Sequence, residues 1–417
     1  MRRARRNADG ILVLYHFIPP YAETVLEHAT AFQRHSRFSV WNLNTAERFP
    51  SALNGLSFRV VVLHYSLFGS AEYKLGPAFV EYLRQSRDSL RVAFFQDEAA
   101  HAGQRFTFID AHAIDWVFTL LEPEDAERVY GQRAHRPRLS STIPGYVSDA
   151  LLDRAARFAR PDEERTIDIG YRARTLPFSM GRGAREKSEI GRQFAKRAAG
   201  QGLTLDIAVD EDLRLYGDDW YRFLGSCRSV LGVEAGVSIF DIDDQVGPAT
   251  EAFLARHPNA SFGEVEEKVL KAWEDNIHYR TISPRHFEAA AFDTCQILFE
   301  GSYSGILKPG THYIPLRKDF SNFDEVIRTF RDADQRARIV ANARRELIES
   351  GRFSYAQFIR SFDDALEEAG IGPTSAPRPG AVDDALARGV WLRRTERRLR
   401  TAYWRFRLAV RRSGRRS

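Results

Sequence analysis

Short apolar runs alternate with amphipathic segments along most of this chain. Residues 11–14, 38–41, 60–63, 91–95 and 116–119 read as buried strands, bounded by turn-forming residues. Segments 22–34, 77–84 and 122–130 carry apolar side chains at helical spacing. After a charged helix over 148–159 the alternation resumes, with strands at 166–170, 204–209 and 229–233 and helices at 186–199 and 220–226. Strands this short and apolar, alternating with helices, predict parallel sheets covered on both faces. The expected fold is therefore α/β, two Rossmann-like domains facing across a cleft. The first covers 1–147 and the second 148–369, with an insertion over about 240–283 whose 253–278 stretch reads as helical. Helices at 323–333, 334–349 and 355–368 follow, then a linker over 370–387.

One stretch combines several chemical elements. PRHFEAAAFDTCQILFEGSYSGILKPGTHYIPL, residues 284–316, opens a helix at Pro284, where a first turn tolerates proline. It then forms a short apolar strand at 296–299. The turn Glu300-Gly301-Ser302-Tyr303-Ser304-Gly305 offers small residues and backbone N–H groups, an arrangement that receives phosphate.

Within that stretch, FEAAAFDT at 287–294 resembles the second half of the nucleotide-sugar motif of GT-B glycosyltransferases, the retaining "group 1" (family 4-like) transferases. Where that motif has glycine, this chain has Asp293. Its first glutamate would fall on Arg280, and Glu234 in LGVEAGVS is the candidate in its place. An insertion of roughly fifty residues would then divide the motif, at small entropic cost. The resemblance implies that Glu288 holds the ribose of a nucleotide sugar; the alternative is a helix-start acid interacting with the macrodipole. Glu234 would touch the sugar or be a turn acid. Tyr303, Ser304 and Gly305 would donate N–H groups to the diphosphate or sugar, or form a plain capping turn.

Basic residues gather after the 166–170 strand: Arg172, Arg174 and Lys187, near Gly181 and Gly183. The family has an arginine and then a lysine there, and the resemblance assigns Arg174 and Lys187 to neutralising the leaving diphosphate. In the first domain the 91–95 strand runs into Gln96-Asp97-Glu98, with His101 beyond. Acids and an imidazole at a strand end suit a group that orients or deprotonates an acceptor; Asp97 is the first candidate, then Glu98 and His101. His16 and His64-Tyr65-Ser66 end two other strands and read as cleft walls. Asp241-Ile242-Asp243-Asp244 carries a metal-type spacing, but arginines stand ready for the same task and no metal or other cofactor is expected.

Charge changes the picture at the termini. The net charge is +5, yet Arg2, Arg3, Arg5 and Arg6 lie at one end and Glu396 is the only acid after Arg388 at the other. Over 388–417, Leu392, Leu399, Tyr403, Phe406 and Val410 form an apolar stripe opposite an arginine face. That pattern predicts a helix lying on an anionic membrane surface, with partner docking or nucleic-acid binding as the alternatives, the last not expected. Cys227 and Cys295 sit in apolar contexts and read as reduced thiols. No apolar run is long enough to span a bilayer. These features lead to an expected cytoplasmic transferase, peripheral on the inner face of the plasma membrane. It would pass a sugar from a nucleotide-diphosphate donor to a glycan or lipid-linked glycan of a surface polysaccharide. A sugar-nucleotide epimerase of the same build and an arginine-tailed binding protein are the alternatives.

Overall fold

Alternate positions of the first strands separate onto two faces. Ile11, Val13, Val60, Val62, Val92 and Phe94 enter one core, whereas Leu12, Leu14, Val61, Leu63, Ala93 and Phe95 enter another. This period of two, apolar on both sides, is what a parallel sheet buried between helices requires. In the computed structural model the described residues are 6–18, 23–69 and 72–373. The first sheet runs in the order Val40–Asn44, Ile11–Tyr15, Val60–Leu63, Leu90–Phe94, Trp116–Thr119 and Arg138–Ser141, all parallel. Its direction of growth reverses between Ile11–Tyr15 and Val60–Leu63.

The second sheet repeats that plan with five parallel strands: Leu205–Ala208, Ile167–Arg172, Cys227–Gly232, Cys295–Phe299 and Ile314–Leu316. Growth reverses between Ile167–Arg172 and Cys227–Gly232. A crevice opens at the carboxyl ends of the strands flanking such a reversal, because the two connecting helices leave to opposite faces.

Two features join the lobes. The final helix, Tyr355–Glu368, was expected in the second domain, but Tyr355, Phe358, Ile359, Phe362 and Leu366 pack into the core beneath the first sheet. Its entry is fixed where Val147 N–H donates to Phe353 O at 2.8 Å and Tyr355 N–H donates to Val147 O at 3.0 Å. The insertion is the second feature. It begins and ends in an antiparallel hairpin, Ala235–Val237 with Tyr279–Thr281, and its Phe240, Ile277 and Tyr279 are buried in the first lobe's core.

The expected single helix over 253–278 is broken into Val246–Arg256 and a second helix starting at Phe262, because Pro258 interrupts the ladder and Ser261 with Glu264 caps a new start. A helix absent from the sequence reading, Ala102–His112, has no cap of its own: Asp244 of the insertion accepts from Ala102 N and Gly103 N at 2.9 and 3.0 Å. Two edge strands were also unread. Arg138–Ser141 holds a single apolar residue, and Ile314–Leu316 contains Pro315, which only an edge tolerates.

Candidate active site

At the second sheet's reversal point lies a cavity of about 310 Å³. Its walls come from the ends of Ile167–Arg172 and Cys227–Gly232, from the helix Arg182–Ala198, and, across the cleft, from Asp97, Ala99 and Ala100 of the first lobe. Lys187 sits on the first turns of its helix, and its Nζ donates to Gly236 O at 2.7 Å. Burial pushes its pKa down to about 8; Asp97 opposes the shift, and Arg174, Arg280 and Arg285 add to it. Arg174 lines the same cavity, is exposed, and makes no hydrogen bond or ion pair among the described residues. A third cation, unnoticed in the sequence, is Arg285 at the start of the Pro284–Ala291 helix. It donates to Arg172 O and its guanidinium lies 4.9 Å from the Trp220 ring centroid.

Arg172 also borders the cavity, but its guanidinium is committed elsewhere. It pairs with Asp206 at 2.8 Å and lies over the Phe223 ring at 4.2 Å. Glu234 lines the cavity from the strand end, and its Oε1 accepts from Ser302 Oγ at 2.9 Å and Tyr303 N at 2.8 Å. The carboxylate therefore also anchors the following loop.

Several expected site residues do other work. Tyr303, Ser304 and Gly305 run through three consecutive left-handed conformations, φ 47°, 56° and 69°. The Tyr303 N–H goes to Glu234, the Gly305 N–H to Ser302 O, and Ser304 Oγ lies 2.7 Å from Thr281 Oγ1. The Ser304–Thr281 contact ties the loop to the insertion hairpin, the two N–H groups close it onto Glu234 and onto itself, and none of the three residues lines the cavity. Glu98 is fully buried, accepting from Thr119 Oγ1, Leu120 N and Tyr130 Oη, with burial raising its pKa. It is a structural carboxylate. His101, exposed with φ 57°, precedes the Ala102–His112 helix and stays outside the cavity. Of that trio only Asp97 faces the cations.

Glu288 opens on an adjoining cavity of about 810 Å³. First-lobe residues Glu23, Glu27 and Arg34 form its far wall, and Trp220 Nε1 donates to Glu288 Oε2 at 2.8 Å. Burial raises the Glu288 pKa. The two cavities share Arg214, Trp220, Ser283 and Arg285 as a common wall, so Glu288 stands behind the cavity of Arg174 and Lys187. His64 is buried against His28, Nε2 to Nδ1 at 3.0 Å, and His16 N–H donates to Ser66 Oγ at 2.9 Å. Asp241 accepts from Gln245, Val246 and Gly247 N–H groups, and Asp244 from the Ala102 helix, so both cap helices. The charged tail lies outside the described residues.

Two parallel sheets in the same order, with an inter-lobe cavity at a strand-order reversal, define the GT-B class of fold. No protein-family model and no curated sequence matches the chain. Among solved structures it is similar to an alpha-glucosyltransferase in complex with UDP and a 13-mer DNA containing a HMU base. The TM-score is 0.51 and the identity 9%, over 86% of this chain and 98% of that one. It is also similar to Anabaena Alr3699/HepE in complex with UDP-glucose, at TM-score 0.44 and 10% identity over 86% and 99%. TarM aligns at TM-score 0.41 and 10% identity over 75% of this chain, which spans 55% of TarM's length. At 9% identity the likeness to the alpha-glucosyltransferase shows a common fold.

Proposed function

We propose that this chain transfers a sugar from a nucleotide-diphosphate donor to a hydroxyl acceptor. The observation that carries the reading is the meeting of Arg174, Lys187 and Arg285 in one crevice at a strand-order reversal, opposite Asp97. The fold it has in common with an alpha-glucosyltransferase holding UDP supports the same reading. The diphosphate binds these cations. Arg174 has no competing partner among the described residues, and Lys187 is charged below pH about 8.

In the reaction, the bond between the anomeric carbon and the diphosphate oxygen breaks. Charge develops on the leaving phosphate, where fixed cations in a partly dry site stabilise it most. The acceptor oxygen forms the new glycosidic bond, and Asp97 receives or orients its proton. The sugar lies between Asp97 and Glu234, and the nucleoside crosses the shared wall of Trp220 and Arg285 so that Glu288 meets the ribose. Configuration at the anomeric carbon is retained in this reading. The acceptor is a glycan or lipid-linked glycan, presented at an anionic membrane surface bound by residues 388–417.

Isothermal titration with UDP-glucose, UDP-N-acetylglucosamine and GDP-mannose tests the donor assignment. One of them is expected to bind, with affinity lost in Lys187→Ala and Arg174→Ala. Donor binding undisturbed by both substitutions would remove the cations from the role given to them.

A further inference from the structure

The floor of the first cavity contains two polar groups that the scheme above leaves idle. Gln296, the second residue of the Cys295–Phe299 strand, is 1% exposed and lines the cavity. Its Nε2 donates to His286 O at 3.2 Å. A carbonyl can only accept, so the amide nitrogen is fixed on that side and Oε1 is fixed on the other. That oxygen is buried and has no partner among the described residues. A buried acceptor left unpaired is destabilising, so something the protein binds is expected to satisfy it.

His286 supplies the complement. It is 3% exposed, lines the same cavity, and belongs to the first turn of the Pro284–Ala291 helix. Its Nδ1 accepts the Ser283 N–H at 3.0 Å, closing a capping box with the Ser283 side chain. An Nδ1 that accepts has no proton, and burial holds the ring neutral by lowering its pKa to about 3. The single ring proton is therefore on Nε2. Nε2 faces the end of the Cys227–Gly232 strand, where a Cβ on Gly232 would come within 3.4 Å of it. One fixed donor and one fixed acceptor thus belong to side chains that line the same cavity as the cations.

We infer that His286 Nε2–H and Gln296 Oε1 together bind one hydroxyl of the transferred sugar and so select among donors. A hydroxyl accepts from the imidazole and donates to the amide through a single oxygen, which a phosphate, having no proton to give, cannot do. The sugar is favoured over the nucleobase because Asp97 and Glu234 line this same cavity, whereas the nucleoside is assigned across the Trp220 wall. The inference rests on the donor reading above.

The test uses the full-length chain and two substitutions. Gln296→Met removes the acceptor with little change in volume. His286→Asn keeps an oxygen for the Ser283 N–H and removes the Nε2 donor. Titrations compare the nucleotide sugar that binds the unmodified protein with its sugar-free nucleoside diphosphate. Either substitution is expected to weaken the nucleotide sugar about tenfold and leave the nucleoside diphosphate unchanged, the second measurement also serving as the fold control. Unchanged nucleotide-sugar affinity in both variants overturns the inference. So does an equal loss for the nucleoside diphosphate, which would put the nucleoside on this floor. An unmodified protein that binds no nucleotide sugar overturns the donor reading itself, a result distinguishable from the other two.

Discussion

At the scale of single residues, burial decides which candidates remain available for chemistry. Lys187 and Glu98 are both withdrawn from water, yet one faces a cavity and the other a closed set of hydrogen bonds. Lys187 titrates near pH 8 in the folded chain, against an ordinary value of 10.5. Its charge, and the stabilisation of a leaving diphosphate, are present below pH about 8 and lost above it. Turnover is therefore expected to fall on the alkaline side with an apparent pKa near 8, measured as a pH profile of kcat/KM. Lys187→Arg should remove that limb, and Lys187→Ala should lower kcat/KM at pH 7 about a hundredfold. The stability term has the opposite sign. Between pH 8 and 10.5 the unfolded chain keeps this proton and the folded chain does not, so stability attributable to Lys187 rises with pH through that window. Glu98→Ala should leave the buried Arg105 without its neighbouring counter-charge and cost about 3–5 kcal/mol in urea unfolding. A variant of unchanged stability with lost activity would return Glu98 to the catalytic list.

Among the elements, the insertion has the widest reach. It leaves the second sheet after Glu234 and delivers three anchors to the first lobe. Asp241 N–H donates to Ala99 O at 2.7 Å, Asp244 caps the Ala102–His112 helix, and Tyr279 Oη accepts from Glu98 N at 3.1 Å. Ala99 and Tyr279 are also walls of the first cavity. Asp244→Ala removes a cap, and the expected loss is about 1 kcal/mol, seen as a lower Tm. Faster amide exchange is expected in both the Ala102–His112 helix and the insertion, and exchange confined to the helix alone would show that the cap does not couple the lobes.

For the whole molecule, the chain's two crossings set the relation between lobes. The Tyr355–Glu368 helix returns to the first sheet, and Arg37 meets Asp364 and Glu367 on it at 2.7 Å each. Those exposed ion pairs add little beside the aromatic core beneath them. The surface-binding role proposed for residues 388–417 belongs to the same scale and is tested by truncation. A chain ending at residue 387 is expected to keep donor affinity but to lose co-sedimentation with vesicles containing phosphatidylglycerol. The intact chain should be released from them by high salt. Equal sedimentation of both chains would refute the surface role.

What the amino-acid order determined by itself was local and periodic. Val60–Leu63 or Cys295–Phe299 can be read as buried strands because alternate apolar side chains must meet cover on both faces, and Lys187 and Arg174 can be read as cations following a strand. What tertiary structure decided were pairings between distant segments. Ala102–His112 takes its cap from a residue about 140 positions away, Glu234 spends its carboxylate on the Tyr303 loop, and the helix start at Ser283 fixes the His286 tautomer in sight of Gln296. No one-dimensional pattern encodes those partnerships. Whether an acid or an imidazole is open to a substrate depends on which neighbours folding brings within about 3 Å of it.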